Sequence, residues 1–267
     1  MDAAAEADAQ WLNYSLIRVF MKTRSLILFF TLLALSFQAT ASVKSDLEKA
    51  DKNGNAIFLV VTDPNVAGTD KALEIANKAQ ASVTKSVVLQ MNRSDAANAD
   101  LVTKYRLTGA PLPLILVLAS NGVVIIGYTL DQATPELLVR AVPSPKKSEV
   151  MKTLTDGKSV FIVVTGQSMA EKSTILNTCQ QACIEMENNA KIIEVSLDDA
   201  KETSFLKELK VDMAAKEPIT YVINTKGQIT GTFTDDVNAT TLVATAKKVA
   251  ASGCCPGGSK SCGATKK

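Results

Sequence analysis

The apolar positions of this chain fall into runs and stripes that occur twice. Residues 56–62 read Ala-Ile-Phe-Leu-Val-Val-Thr and residues 159–165 read Ser-Val-Phe-Ile-Val-Val-Thr. Both runs are β-branched and aromatic, of strand length and without polar alternation, as a central strand buried on both faces requires. Before each stands a short helical pattern (45–50 and 148–154), stopped by Asn53-Gly54 in one half and Asp156-Gly157 in the other. After each comes a polar loop and a longer helix. The first spans 70–80, with Ala72, Ile75, Ala76 and Ala79 on one face; the second opens on Ser168-Met169-Ala170-Glu171, the pattern of a capping box.

The correspondence continues. Residues 86–91 and 191–197 predict a second strand, and Leu101, Val102, Tyr105 and Leu107 match Phe205, Leu206, Leu209 and Val211 on a further helix. Pro113 then precedes the apolar run 114–118, as Pro218 precedes 219–223. Gly122 and Gly227, each nine residues after its proline, mark hairpin turns into returning strands at 123–128 and 228–233. Each half closes with a helix, the first capped by Thr134-Pro135-Glu136 and the second running over 239–251. Residues 143–147, Pro-Ser-Pro-Lys-Lys, read as a short stiff linker.

The element order in each half is helix, strand, helix, strand, helix, strand, hairpin strand, helix. It resembles the thioredoxin-like superfamily over 42–252, most closely in Lys104-Tyr105-Arg106-Leu107-Thr108-Gly109-Ala110-Pro111-Leu112-Pro113 and the following Asn121-Gly122. The resemblance implies an α/β fold of two tandem thioredoxin-like units, each a mixed sheet of about four strands flanked by helices. It places the family's cis-proline at Pro113, with Pro218 as its counterpart, and implies that an extended polypeptide binds beside them. The expected organisation is a leader over 1–41, unit 1 over 42–142, a linker over 143–147, unit 2 over 148–252 and a cysteine-rich tail over 253–267. Where the family carries Trp-Cys-x-x-Cys, this chain has Asp63-Pro64-Asn65-Val66-Ala67-Gly68 and Gly166-Gln167-Ser168-Met169-Ala170-Glu171. Thiol–disulfide exchange needs a thiolate, and neither loop can supply one.

Composition narrows the chemistry further. Among 267 residues there is no histidine, which removes Ser-His and Cys-His nucleophiles, histidine metal sites and a histidine base. A net charge of +2 with scattered bases and 5% aromatics gives no nucleic-acid footprint. Lys22 and Arg24 precede the apolar run 26–37, which ends in Ala39-Thr40-Ala41. This is the order of a secretory signal peptide, with Met21 as the expected start and the mature chain beginning near Ser42, in the periplasm or outside the cell. An uncleaved leader would instead anchor the chain to a membrane.

Five cysteines remain. Cys179 and Cys183 lie on the helical stripe of Ile175, Leu176, Ala182 and Met186. At i and i+4 their Cβ atoms stand about 5–6 Å apart, too far for the ~3.8 Å of a relaxed disulfide. They read as small core residues or as a two-thiolate soft-metal site. Cys254, Cys255 and Cys262 lie in a tail whose composition builds no core. A disulfide, a Cu(I) or Zn thiolate site and a mobile redox arm are all open there. No cofactor is expected elsewhere. Two functions follow: a non-catalytic exported module that binds a protein or peptide partner, or a thiol-redox or soft-metal protein working through the tail.

Overall fold

The computed structural model describes residues 42–167, 169–234 and 236–249. The leader with its expected start at Met21, Ser168, Asp235, and Cys254, Cys255 and Cys262 of the tail lie outside the described residues. Among the described residues no helix is long and apolar enough to cross a membrane.

Unit 1 runs α1 (Val43–Asn53), β1 (Ala56–Thr62), α2 (Thr69–Ala81), β2 (Ser86–Asn92), α3 (Ala99–Lys104), β3 (Leu114–Leu118), β4 (Val124–Thr129) and α4 (Pro135–Ala141). Unit 2 repeats the order: α5 (Pro145–Thr155), β5 (Ser159–Thr165), α6 (Lys172–Glu185), β6 (Ala190–Ser196), α7 (Thr203–Glu208), β7 (Ile219–Ile223), β8 (Ile229–Phe233) and α8 (Ala239–Ala246). A 3₁₀ turn precedes α3 and α7. The sheets are ordered β2-β1-β3-β4 and β6-β5-β7-β8. In each, the first pair is parallel and the other two are antiparallel.

The repeated strand behaves as its pattern requires, with all seven residues of β1 and of β5 buried. Successive side chains of a strand leave by opposite faces. Accordingly Ile57, Leu59 and Val61 enter one layer with Leu47 and Leu101, while Phe58 and Val60 enter the other with Ile75, Ala76 and Leu138. Unit 2 divides likewise. Val160, Ile162 and Val164 meet Val150, Phe205 and Leu206, and Phe161 and Val163 meet Cys179, Ala182 and Leu242. On α2 the buried face is Ala72, Ile75, Ala76 and Ala79, as the 3.6-residue spacing predicts.

Three expectations are corrected. The stiff linker over 143–147 is half helix: Pro145 opens α5, Ser144 caps it by accepting from the Lys147 amide at 3.3 Å, and proline suits a first helical position because it has no N–H to orphan. Its lysines belong to unit 2, since the Lys146 amide donates to the buried Glu202 carboxylate (3.0 Å) and Lys147 pairs with Glu208 (2.6 Å). Helix α6 begins at Lys172, three residues later than a cap at Ser168 would give, with Glu171 at the N-cap position and making no side-chain cap bond. Helix α8 stops at Ala246 rather than 251.

Candidate functional site

The loop after β1 reaches the proline that precedes β3. The Leu112–Pro113 peptide is cis, and Gly68 lies directly against it. Gly68 has φ +85°, and a Cβ there would stand 2.6 Å from Leu130 Cδ2 and 3.9 Å from Pro113 Cγ, so any other residue strains the backbone and displaces Leu130. Beside the buried proline, the backbone N–H and C=O of Leu112 make no hydrogen bond among the described residues. Leu112 thus leaves both of its backbone pairing groups unused just before β3.

One arginine holds the surroundings in place. Thr62 and Asn92 pair at the parallel ends of β1 and β2, so the next residues, Asp63 and Arg93, leave side by side. Arg93 donates to Asp63 Oδ2 through Nη2 (2.6 Å) and Nε (3.1 Å), and through Nη1 to the carbonyls of Ala110 (2.8 Å) and Leu107 (3.5 Å). The Ser94 amide and hydroxyl donate to Asp63 Oδ1 at 2.9 and 2.7 Å. The hydrogen bond from the Ser94 hydroxyl, followed by the Arg93 guanidinium, holds the Asp63 carboxyl below its ordinary range despite some desolvation. Three segments are thereby tied together: the loop after β1, the turn after β2 and the approach to Pro113. Within the loop, the Thr62 and Thr69 hydroxyls share a 2.7 Å hydrogen bond.

Unit 2 keeps the layout, with Thr165 for Thr62 and Pro218 for Pro113, and changes the charged groups around them. The Glu217–Pro218 peptide is not cis, which corrects the expectation that Pro218 repeats a cis-proline face. An X-Pro bond prefers trans by only about 0.5–1 kcal/mol, so its surroundings decide. Here they differ: Leu197 stands where Arg93 does, and no guanidinium anchors the approach to Pro218. Gly166 replaces Asp63, and the carboxylate comes from the opposite side, Asp198 Oδ2 accepting from the Gln167 amide at 3.0 Å. Where unit 1 has Thr62 and Thr69, unit 2 has a chain of polar groups. The Thr165 hydroxyl donates to Glu194 Oε1 (2.7 Å), which also meets Lys172 Nζ (2.6 Å) at the start of α6. Partial burial opposes ionisation of Glu194, but the Lys172 ammonium and the Thr165 hydroxyl outweigh it and hold its carboxyl below the usual range.

Cys179 and Cys183 are buried free thiols within the unit 2 core, against Phe161, Val163 and Leu242. Burial pushes the Cys179 thiol up to about 12, with a further contribution from Cys183, and burial pushes Cys183 up as well. Neither is a ready thiolate. Among the described residues no three acidic or cysteine side chains converge on a metal-sized space. Other acids serve as caps and turns, Asp95 accepting from the Ala97 amide and Asp199 from the Lys201 amide.

The strand order, with one parallel and two antiparallel pairs and helices on both faces, decides the fold of each half. Each unit is a thioredoxin-like fold. No family model matches the chain, and no curated protein sequence matches it. Among solved structures, it is similar to the first two thioredoxin domains of Eps1p from Naumovozyma dairenensis, at 13% identity over 81% of this chain and 99% of that one, with a TM-score of 0.29. The same two domains of Saccharomyces cerevisiae Eps1p match at 11% identity over 80% and 98%, with a TM-score of 0.31. The zinc-bound form of human ERp44 matches at 12% identity over 77% of this chain and 56% of that one, with a TM-score of 0.35.

Sequence reading missed the Asp63–Arg93–Ser94 tie and the Thr165–Glu194–Lys172 chain. The signal existed. Once the two parallel strands are aligned end to end, an acid and a base one residue beyond each must meet.

Proposed function

We propose that the protein is an exported, non-catalytic tandem thioredoxin-like module that binds an extended segment of a protein partner. One observation carries the reading: the unpaired backbone of Leu112 beside cis-Pro113, framed by a loop that Arg93 and Asp63 hold still and that contains no cysteine. A pre-organised stretch of free N–H and C=O groups binds a strand without paying to order itself, and hydrogen bonds to its backbone supply affinity. The chemistry that the fold elsewhere places in this loop needs a thiolate that neither loop supplies. Export rests on the order of charged, apolar and small residues over 22–41.

The test is site-specific cross-linking. A photoreactive residue at Leu112 in the mature chain is expected to capture a partner in its native compartment. Gly68→Ala is expected to abolish capture while costing about 1–2 kcal/mol in stability, because it puts a Cβ at positive φ against Leu130 and Pro113. A folded chain that captures nothing, or captures equally with Gly68→Ala, overturns the reading. A second reading, thiol or soft-metal chemistry in the tail, is favoured by Cys254, Cys255 and Cys262 lying within nine residues. Replacing all three by serine then removes Cu(I) uptake or disulfide reduction; unchanged activity excludes it.

A further inference from the structure

Unit 2 contains a cleft where unit 1 is packed shut. In unit 1 the space between α2 and the start of β3 is filled by apolar side chains, with Ile115 fully buried among Ala72, Ile75 and Leu130. The sheet registers make Thr220 the counterpart of Ile115, since each pairs with the strand residue beside its own central strand, Val60 in one unit and Val163 in the other. Around Thr220 lies a cleft of about 470 Å³ between the first turns of α6 and the ends of β7 and β8. Its rim carries the exposed carboxylates Glu171, Glu217 and Asp236; its walls include Ile175 and the buried Pro218.

Two features of the cleft point to a ligand. Thr220 is 1% exposed and belongs to the cavity lining, and its buried hydroxyl has no hydrogen-bond partner. A buried hydroxyl left unpartnered is unfavourable, and the counterpart in unit 1, Ile115, is apolar. Second, none of the three rim carboxylates makes an ion pair among the described residues. The nearest base in sequence to Glu171, Lys172, is turned to Glu194 instead. The acids also do not converge as a metal site would require. Carboxylates spread round a slot lined by threonines as well as by Ile175, Pro218 and Val237, with a hydrogen-bond acceptor at its floor, suit a long cation that has an aliphatic stem and donors at its end.

Resting on the reading of the protein as a peptide-binding module, we propose that this cleft receives a lysine or arginine side chain of the bound segment. The aliphatic stem lies along Ile175 and Pro218, the terminal N–H groups donate to Thr220 Oγ1, and Glu171, Glu217 and Asp236 balance the charge. Unit 2 thus selects the partner's basic residue, and Leu112 in unit 1 offers backbone pairing.

The experiment uses the full mature chain, isotope-labelled, titrated with four capped heptapeptides of sequence Ala-Thr-Val-X-Val-Thr-Ala in which X is lysine, arginine, norleucine or glutamate. The lysine and arginine peptides are expected to shift the amide resonances of Glu171, Ile175, Glu217 and Thr220 and to bind roughly tenfold more tightly than norleucine. The advantage is expected to shrink with added salt. Thr220→Val, which fills the same space without a hydroxyl, and Glu217→Gln are each expected to remove most of that advantage while the spectrum elsewhere is unchanged. If norleucine binds at the cleft as tightly as lysine, the cationic assignment is overturned and the binding module stands. If every peptide shifts only residues around Leu112 and Pro113, the cleft is overturned and the module again stands. If deleting residues 253–267 is what first exposes the cleft to lysine, the basic tail of this chain is the occupant and the assignment to a partner fails. If none of the peptides shifts any resonance, the cleft and the module reading fall together.

Discussion

At the scale of single residues, the two units show how one substitution redirects a whole site. Arg93 and Leu197 stand at the same register position after their parallel strands. The arginine can bind a carboxylate and two carbonyls at once, because its guanidinium presents donors in a fixed fork. The leucine can only pack. Cys179 illustrates the opposite case, a reactive side chain silenced by its surroundings. Its thiol is held near 12 against an ordinary 9.0, so the folded state keeps it neutral where the unfolded state ionises it. Its effect on stability is therefore complete below pH 9 and is lost as pH rises from 9 toward 12. We expect Cys179→Ala to flatten the alkaline fall in stability measured by denaturant titration between pH 8 and 10.5. Iodoacetamide is expected to label Cys179 no faster than the chain unfolds.

At the scale of elements, the helix ends carry information that hydrophobic spacing does not. After α3 and after α7 the chain turns through a non-glycine residue in the left-handed region, Arg106 at φ +54° and Lys210 at φ +57°. The following residues, Leu107 and Val211, return their amides to Val102 and Leu206 and bury their side chains in the core. Burial of that apolar residue offsets the unfavourable backbone conformation. Lys210 is exposed, so Lys210→Gly relieves the backbone without losing a buried contact. The expected gain is about 0.5–1 kcal/mol, net of the greater freedom of glycine in the unfolded chain, measured by urea unfolding. A loss of stability would mean that the lysine contributes something other than its backbone.

At the scale of the whole molecule, each unit completes its own two-layered core. Phe58 is enclosed by unit 1 residues alone and Phe161 by unit 2 residues alone. A side-chain hydrogen bond crosses between them, from Asn121 in the β3–β4 turn to the Ser148 carbonyl of α5 at 2.9 Å. Phe161→Ala is expected to cost about 3–5 kcal/mol within unit 2. Native-state hydrogen exchange should then show amides of β5 and β7 opening faster while those of β1 and β3 keep their protection. Equal acceleration in both sheets would show the two cores to be one cooperative body.

Most of the framework was legible from the chain itself, because burial and backbone geometry leave periodic traces. The doubled strand, the alanine face of α2, the turn glycines and the repeated element order each follow from the spacing that burial and turn geometry impose. The two thiols on one helical stripe could be placed in the core for the same reason, although their spacing alone also allowed a metal pair. Helix ends were less legible: α6 opens after Glu171 with no side-chain cap to mark it, and α8 closes on its own last turn, the Lys247 amide returning to Val243 and Thr245. Residues 143–147 read as linker because Pro-Ser-Pro is ambiguous until Glu202 and Glu208, more than fifty residues on, bind its lysines. What only the tertiary structure decided is how distant side chains meet. The fork of Arg93 on Asp63 and Ala110, the cis geometry at Pro113 but not at Pro218, and the cleft over the unpartnered Thr220 hydroxyl all depend on which strand lies beside which. Periodicity records which way a residue faces; it holds no record of the residue it will face.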